Sequence, residues 1–96
     1  MSLKETSACL GYQQITNLAA STGLTLPVDP NKGVPTFAII QAAAQAVRWR
    51  DDGVAPTATV GMVLPAGGEL RYDGNLSAIR FIESAASAQL NVAFYS

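Results

Sequence analysis

Residues 47–53 read Val-Arg-Trp-Arg-Asp-Asp-Gly, and this stretch decides the fold. Its apolar side chains, Val47 and Trp49, alternate with arginines. A β-strand would put the two apolar side chains on one face and Arg48 and Arg50 on the other. The Asp-Asp-Gly that follows is a turn signal, because Asp and Gly tolerate the positive φ angles of tight turns. A strand that ends in such a turn favours a β protein.

Turn-forming groups recur on the C-terminal side at a spacing of about 8–12 residues, which is typical of sandwiches and barrels. Residues 65–68 (Pro-Ala-Gly-Gly) and 73–75 (Asp-Gly-Asn) predict turns, and residues 69–72 between them alternate as a strand does. Residues 89–95 alternate most regularly, with three apolar side chains on the inward face: Leu90, Val92 and Phe94. We therefore predict an all-β, antiparallel fold, either a small β-sandwich or a jelly-roll-like barrel.

The N-terminal side is also divided into short segments. Residues 11–18 and 23–28 carry Tyr, Ile, Thr and Leu, which favour strands. Residues 27–35 hold three prolines and a glycine and predict an exposed loop. Residues 54–64, rich in Thr and Val with an internal proline, fit a bulged or edge segment. We expect residues 1–8 to form a flexible tail.

Two stretches leave an α+β alternative open, with helices near 38–48 and 76–87. Their alanines favour a helix, and apolar residues recur there at helical spacing. In the strand interpretation, residues 37–41 and 46–50 form a hairpin around a turn at 42–45. We prefer the hairpin, because a Trp between two arginines, followed at once by Asp-Asp-Gly, is typical of strand and turn.

The composition indicates that this single domain, residues 1–96, hides apolar surface against a partner. Hydrophobic residues make up 49% of the chain and charged residues only 14%, against a typical charged fraction of about 25%. A small domain has a large surface for its volume, and here few charges are available to cover it. The simplest partner is a second copy, which predicts a homo-oligomer. The alternative is a monomer coated in uncharged polar residues.

The sequence excludes several classes of function. It contains no histidine, which removes the commonest general base and most zinc sites. Six basic residues, spread along the chain, form no cluster for direct nucleic-acid binding. No apolar stretch approaches the roughly 20 residues that cross a membrane, and the one cysteine, Cys9, permits no internal disulfide. We expect no enzyme activity, no cofactor and no membrane contact.

The sequence also resembles a family of small proteins encoded in the structural gene clusters of tailed phages and prophages. The resemblance rests on residues 47–62, 70–74, 76–82 and 90–95 and extends over 47–95. It implies a non-catalytic virion subunit that self-assembles or decorates a capsid or tail, with other phage structural proteins as partners. Such a protein is made in the bacterial cytoplasm and located in the virion.

The densest charge cluster is the best candidate for a subunit or partner contact. It comprises Arg48, Arg50, Asp51 and Asp52, and we add Tyr95 from the last strand. The alternative is structural, with the arginines on the outer face of a strand and the aspartates shaping the turn. The surrounding loop lacks the further acidic ligands of a calcium site. We predict no catalytic, cofactor or metal site.

A small carbohydrate- or receptor-binding β module is the alternative function. Its aromatic side chains would be Trp49, Tyr72 and Tyr95, which have Asp and Asn residues nearby in the sequence. We expect these three aromatic residues to serve packing rather than ligand binding, because the neighbours of Trp49 in its strand are charged and its own face must be buried.

Overall fold

The computed structural model describes residues 9–27 and 33–96, and within them the regular elements are all β-strands. In chain order they are β1 (Cys9–Ile15), β2 (Thr22–Gly23), β3 (Phe37–Ala43), β4 (Val47–Arg50), β5 (Met62–Leu64), β6 (Glu69–Tyr72), β7 (Arg80–Glu83) and β8 (Gln89–Tyr95). The predicted tail at 1–8 and the middle of the predicted loop lie outside the described residues. In the described part, no helix is long and apolar enough to cross a membrane.

The strands form two antiparallel four-stranded sheets, which confirms the predicted all-β sandwich. The first sheet has the order β1-β8-β3-β6 and the second has the order β2-β7-β4-β5. Only the connection from β4 to β5 joins neighbouring strands of one sheet, and every other connection crosses between the sheets. The fold therefore depends mainly on pairing between strands that are distant in the sequence.

The core lies between the two sheets. Leu90, Val92 and Phe94 on β8 are buried, as their alternation predicts. The second sheet contributes Val47 from β4 and Phe81 from β7, both with 0% of their surface exposed. Burying a side chain of this size contributes about 1.5–3 kcal/mol. Inward-facing residues of both sheets thus supply the packing that stabilises the domain.

The α+β alternative is wrong, because strands and turns occupy 38–48 and 76–87, where that alternative placed its helices. In β3 the buried residues are Ala38, Ile40 and Ala42, which alternate with more exposed ones. This period of two matches a strand and not a helix. The alanines, which favour a helix on their own, here provide small side chains for a tightly packed sheet interior.

The predicted hairpin is also wrong, although both of its strands exist. β3 pairs with β6 and β8, whereas β4 pairs with β5 and β7 in the other sheet. The short link at 44–46 carries the chain across the sandwich, and Ala44 takes a φ of 69° to do so. Crossing lets the apolar faces of the two strands point at each other across the core, whereas a hairpin would place them side by side.

In two other predicted segments only a few residues form a strand. Of the strand expected at 23–28, residues 23–27 are described, and only Gly23 belongs to a strand, β2 (Thr22–Gly23), which pairs with β7. Of the segment at 54–64, only β5 is a strand, and it lies at the edge of the second sheet. The proline and glycine in that segment explain the shortening, because neither fits the regular interior of a strand.

Candidate functional site

A shallow depression of about 410 Å3 lies where the chain leaves β4 and returns as β5. Its uncharged lining comes from Trp49, Val60, Gly61 and Met62, and its charged lining comes from three predicted site residues: Arg50, Asp51 and Asp52. Trp49 is half-buried and packs against the core. The depression therefore combines an aromatic ring with a charged side.

Arg48 fixes the wall of this depression from the outer face of β4. Its Nε donates to the carbonyl oxygen of Ala58 at 3.1 Å, and its Nη1 donates to that of Gly61 at 3.0 Å. Within the same segment the backbone amide of Thr57 donates to the carbonyl of Val60 at 2.9 Å. Hydrogen bonds from a charged donor are the stronger kind. Arg48 thus anchors the segment and does not line the depression itself.

Gly61 is required where this segment meets β4. Its φ is +143°, and a Cβ added there would lie 3.1 Å from the carbonyl oxygen of Trp49 and 3.2 Å from the Cβ of Arg48. An L side chain at such a φ costs about 1–3 kcal/mol, and the backbone carbonyl of Trp49 cannot move away without disturbing the strand ladder. The segment is therefore held close to β4 by a glycine as well as by an arginine.

The substitution Gly61→Ala is expected to lower the free energy of unfolding by about 2–3 kcal/mol, the sum of backbone strain and a close contact. Gly53→Ala is the matched control, because Gly53 also has a positive φ (85°) but nothing within 4 Å of an added Cβ. It is expected to cost about 1 kcal/mol, from strain alone. Urea unfolding of the two variants measures both values, and equal losses would contradict the close packing at Gly61.

Arg50 and Asp52 form a bidentate ion pair beside the depression. Nε of Arg50 donates to Oδ1 of Asp52 at 3.0 Å, and Nη2 donates to Oδ2 at 2.5 Å. This hydrogen bonding raises the pKa of Arg50 and lowers the pKa of Asp52. Because both side chains face solvent, the pair adds little stability. Its effect is to hold opposite charges at a fixed position next to an apolar surface.

Asp51 is exposed, but its carboxylate reaches the hydroxyl of a buried tyrosine. Its Oδ2 accepts a hydrogen bond of 2.6 Å from the hydroxyl of Tyr72, a residue that is 7% exposed. Burial of Tyr72, together with this carboxylate, raises the pKa of Tyr72 to about 12. The ring of Tyr72 also packs edge-on against Trp49, with centroids 6.0 Å apart. Asp51 and Tyr72 thus support Trp49 from behind.

Tyr95, the fifth predicted contact residue, lies in the other sheet. It is half-buried on the outer face of β8, and its ring stacks on that of Phe37 with centroids 5.2 Å apart. The guanidinium of Arg71 lies 4.2 Å above the Phe37 ring. The structure therefore brings Arg50, Asp51 and Asp52 to one depression, and it places Tyr95 at a separate surface.

The aromatic residues of the alternative function do not form one platform. Trp49 and Tyr72 pack together at the core, as the packing interpretation predicts, while Tyr95 lies on the outer face of the first sheet. The sequence prediction missed Met62, which is 61% exposed beside Trp49. Its place in a segment expected to form a sheet edge was the available signal.

The charged side chains of this site already have partners within the chain. In residues 9–27 and 33–96, no group of three His, Cys, Asp or Glu side chains is placed to hold a metal ion. The carboxylates of Asp51 and Asp52 are bound to Tyr72 and Arg50. An apolar concavity with charges beside it can receive an apolar side chain and orient it through polar contacts.

Comparison with known proteins identifies no relative. No protein-family model, no curated protein and no solved structure matches the chain.

Proposed function

We propose that this chain is a non-catalytic structural subunit of a phage particle, which self-assembles or decorates the capsid or tail. The resemblance over residues 47–95 supports the phage setting. The low fraction of charged residues, 14%, supports an assembled rather than a solitary protein. The assembly itself is supported by one feature of the second sheet.

That feature is a concentration of exposed apolar side chains. Four of the six large hydrophobic residues that are exposed in the described part of the chain lie in the ten positions 54–63. We call these four the apolar edge: Val54, Val60, Met62 and Val63. Single exposed hydrophobics are normal on a protein surface. Met62 and Val63 are consecutive in β5, so they lie on opposite faces of the sheet and flank its edge. Such a concentration of apolar side chains along one edge supports contact with a partner.

The apolar edge coincides with the border of a sheet. Among the described strands, β5 pairs with β4 alone, so its other side is open to a further strand. Strand addition at such a border is a common mode of association. Because β5 has only three residues, backbone pairing contributes little here and the side chains must supply most of the binding energy.

The arrangement of charges around the apolar edge fits an interface. The Arg50–Asp52 pair lies beside the depression that Met62 and Val60 line. Interfaces generally have an apolar centre and a polar rim, and the rim gives orientation more than affinity. A side chain of a neighbouring subunit can enter the depression against Trp49 while its polar neighbours meet the ion pair.

The variant Val63→Glu tests this assembly. Val63 on β5 is 53% exposed and lies opposite Arg48 on β4. A glutamate there is exposed to solvent and faces a cation, so we expect the fold to be kept. We expect the wild-type protein to sediment as an oligomer and Val63→Glu to sediment as a monomer, because a charge on an edge strand opposes association. Val34→Glu is the matched control, because Val34 is 75% exposed and lies outside the apolar edge.

Sedimentation velocity at high micromolar concentration gives the result. A wild-type protein that is strictly monomeric, and that mass spectrometry does not find in particles purified after prophage induction, would refute the proposal. Dissociation by Val34→Glu to the same extent as by Val63→Glu would refute the assignment of the interface to the apolar edge.

A further inference from the structure

A second concavity lies on the opposite side of the sandwich, on the outer face of the first sheet. It measures about 190 Å3 and is lined by Tyr12, Ile39, Gln41, Asn91, Ala93 and Tyr95. In the sheet register Ala93 on β8 lies directly between Tyr12 on β1 and Ile39 on β3. A small methyl group surrounded by larger side chains makes a hollow in the pleated surface. We call it the Ala93 hollow.

Polar groups at one end of the Ala93 hollow are held in fixed orientation. Oδ1 of Asn91 accepts a hydrogen bond from the hydroxyl of Tyr12 at 2.7 Å and another from Nε2 of Gln14 at 3.2 Å. Both donors lie on β1, so the Oδ1 atom of Asn91 is used by β1 and its Nδ2 group is the part of the amide that remains for a ligand. Asn91 lines the hollow, and its Nδ2 group carries two donor hydrogens.

Aromatic rings stand beside the same hollow. Tyr12 is 64% exposed, which is the highest exposed fraction of any aromatic side chain in the described part. Tyr95 is held in place by its stacking on Phe37. Tyrosine offers a rigid apolar ring with few rotatable bonds, so its side chain loses little conformational entropy when a ligand stacks on it. The hollow thus has fixed apolar sides and a fixed polar end.

The residues of the hollow select the chemistry of its ligand. None of the six is Asp, Glu, Lys or Arg. Arg71, which lies opposite Ile39, has its guanidinium over the ring of Phe37, so a charged ligand finds no ion-pair partner in the lining itself. A wholly apolar ligand would offer no partner to the Nδ2 group of Asn91 or to the Oε1 atom of Gln41, whose amides otherwise bond to Tyr12, Gln14 and Glu69. A neutral cyclic ligand with an apolar face and several hydroxyl groups can stack on the tyrosine side chains and hydrogen-bond to the amides.

The size of the hollow limits the ligand to one such ring. Sites for drug-sized molecules measure about 300–1,000 Å3, and this one measures about 190 Å3. We propose that the Ala93 hollow binds one neutral pyranose unit of a glycan. This function lies beyond the proposed assembly, because the hollow belongs to the first sheet and the apolar edge to the second.

The test is a titration followed by 1H–15N NMR, with the neutral methyl pyranosides of glucose, galactose, mannose and N-acetylglucosamine at millimolar concentration. Sialic acid serves as the charged comparison. We expect at least one neutral sugar to shift the amide signals of Tyr12, Ile39 and Ala93 in a saturable way. Sialic acid is expected to shift them less, because no cationic side chain lines the hollow.

Ala93→Leu fills the hollow and is expected to abolish these shifts. Ala43→Leu is the matched control. It is the same substitution on the same face of the sheet, but Ala43 lies opposite Gln89 and outside the hollow. If Ala93→Leu does not fold, Tyr12→Ser decides instead, because Tyr12 is mostly exposed and lies outside the core.

Three results would overturn the proposal. The first is that no neutral sugar shifts these signals, and the second is that Ala93→Leu binds as the wild type does. The third is a shift of the same signals with protein concentration alone, which would mean that a second copy covers the hollow. The Val63→Glu monomer distinguishes this from the proposed assembly, because its hollow is intact and its apolar edge is not.

Discussion

The substitution Phe81→Ala is expected to lower the free energy of unfolding by about 3–5 kcal/mol. Phe81 is fully buried in β7, with Trp49 opposite it on one neighbouring strand and Thr22 on the other. Removing the ring loses its transfer energy and leaves a cavity between two sheets that cannot close. For 96 residues the total stability is about 5–15 kcal/mol, so this one change removes a large part of it.

Phe37→Ala is the matched control for this prediction. Phe37 is the same residue type in the other sheet, but it is half-buried on the outer face, where it stacks on Tyr95 beneath Arg71. We expect a loss of about 0.5–1.5 kcal/mol. Urea unfolding followed by circular dichroism compares the two variants. Equal losses would contradict the placement of the core between the sheets.

The strands of this domain could be predicted from sequence where alternation is strict. In β8 the apolar residues Leu90, Val92 and Phe94 occupy every second position, and all three are buried. The same rule identifies β6 between its two turns. It is a local property, because the period of a strand fixes which side chains share a face.

The partners of the strands could not be predicted in the same way. The alternation of β3 and β4 fits a hairpin as well as it fits two strands in opposite sheets, because both arrangements bury the same residues. The choice depends on β8, β6, β7 and β5, which lie far along the chain and pair with one or the other. Only the assembled sandwich decides between them.

The same limit applies to the two surfaces. Arg50 and Asp52 are two residues apart, and their contact follows from the turn that separates them. The contact between Tyr12 and Asn91 joins residues 79 positions apart. The alternation of β8 places Asn91 and Tyr95 on one face, but only the pairing of β1 with β8 adds Tyr12. The charge cluster was therefore visible in the sequence, and the Ala93 hollow was not.

Alkaline pH is expected to destabilise the domain through Tyr72. Burial, together with the hydrogen bond to Asp51, raises the pKa of Tyr72 from 10.0 to about 12. The folded state therefore keeps the phenol protonated at a pH where the unfolded chain has lost the proton. The resulting stability is fully present below pH 10 and is lost as the pH rises to 12.

The size of this loss follows from the pKa difference, since each pKa unit corresponds to about 1.4 kcal/mol. A shift from 10.0 to about 12 thus gives a loss of about 2–3 kcal/mol between these two pH values. The variant Tyr72→Phe lacks the hydroxyl, so it is expected to be less stable near neutral pH by about 1 kcal/mol, from the lost hydrogen bond. It also has no phenol proton to lose at this position. Its stability should then stay nearly level over the alkaline range.

Urea midpoints measured at several pH values between 8 and 12 separate the two proteins. Tyr12→Phe is the control, because Tyr12 is mostly exposed, and this variant should keep the alkaline loss of the wild type. A Tyr72→Phe protein that loses stability as steeply as the wild type would show that another group carries the effect. A level profile would instead establish that the hydrogen bond between the buried Tyr72 and the exposed Asp51 persists in solution.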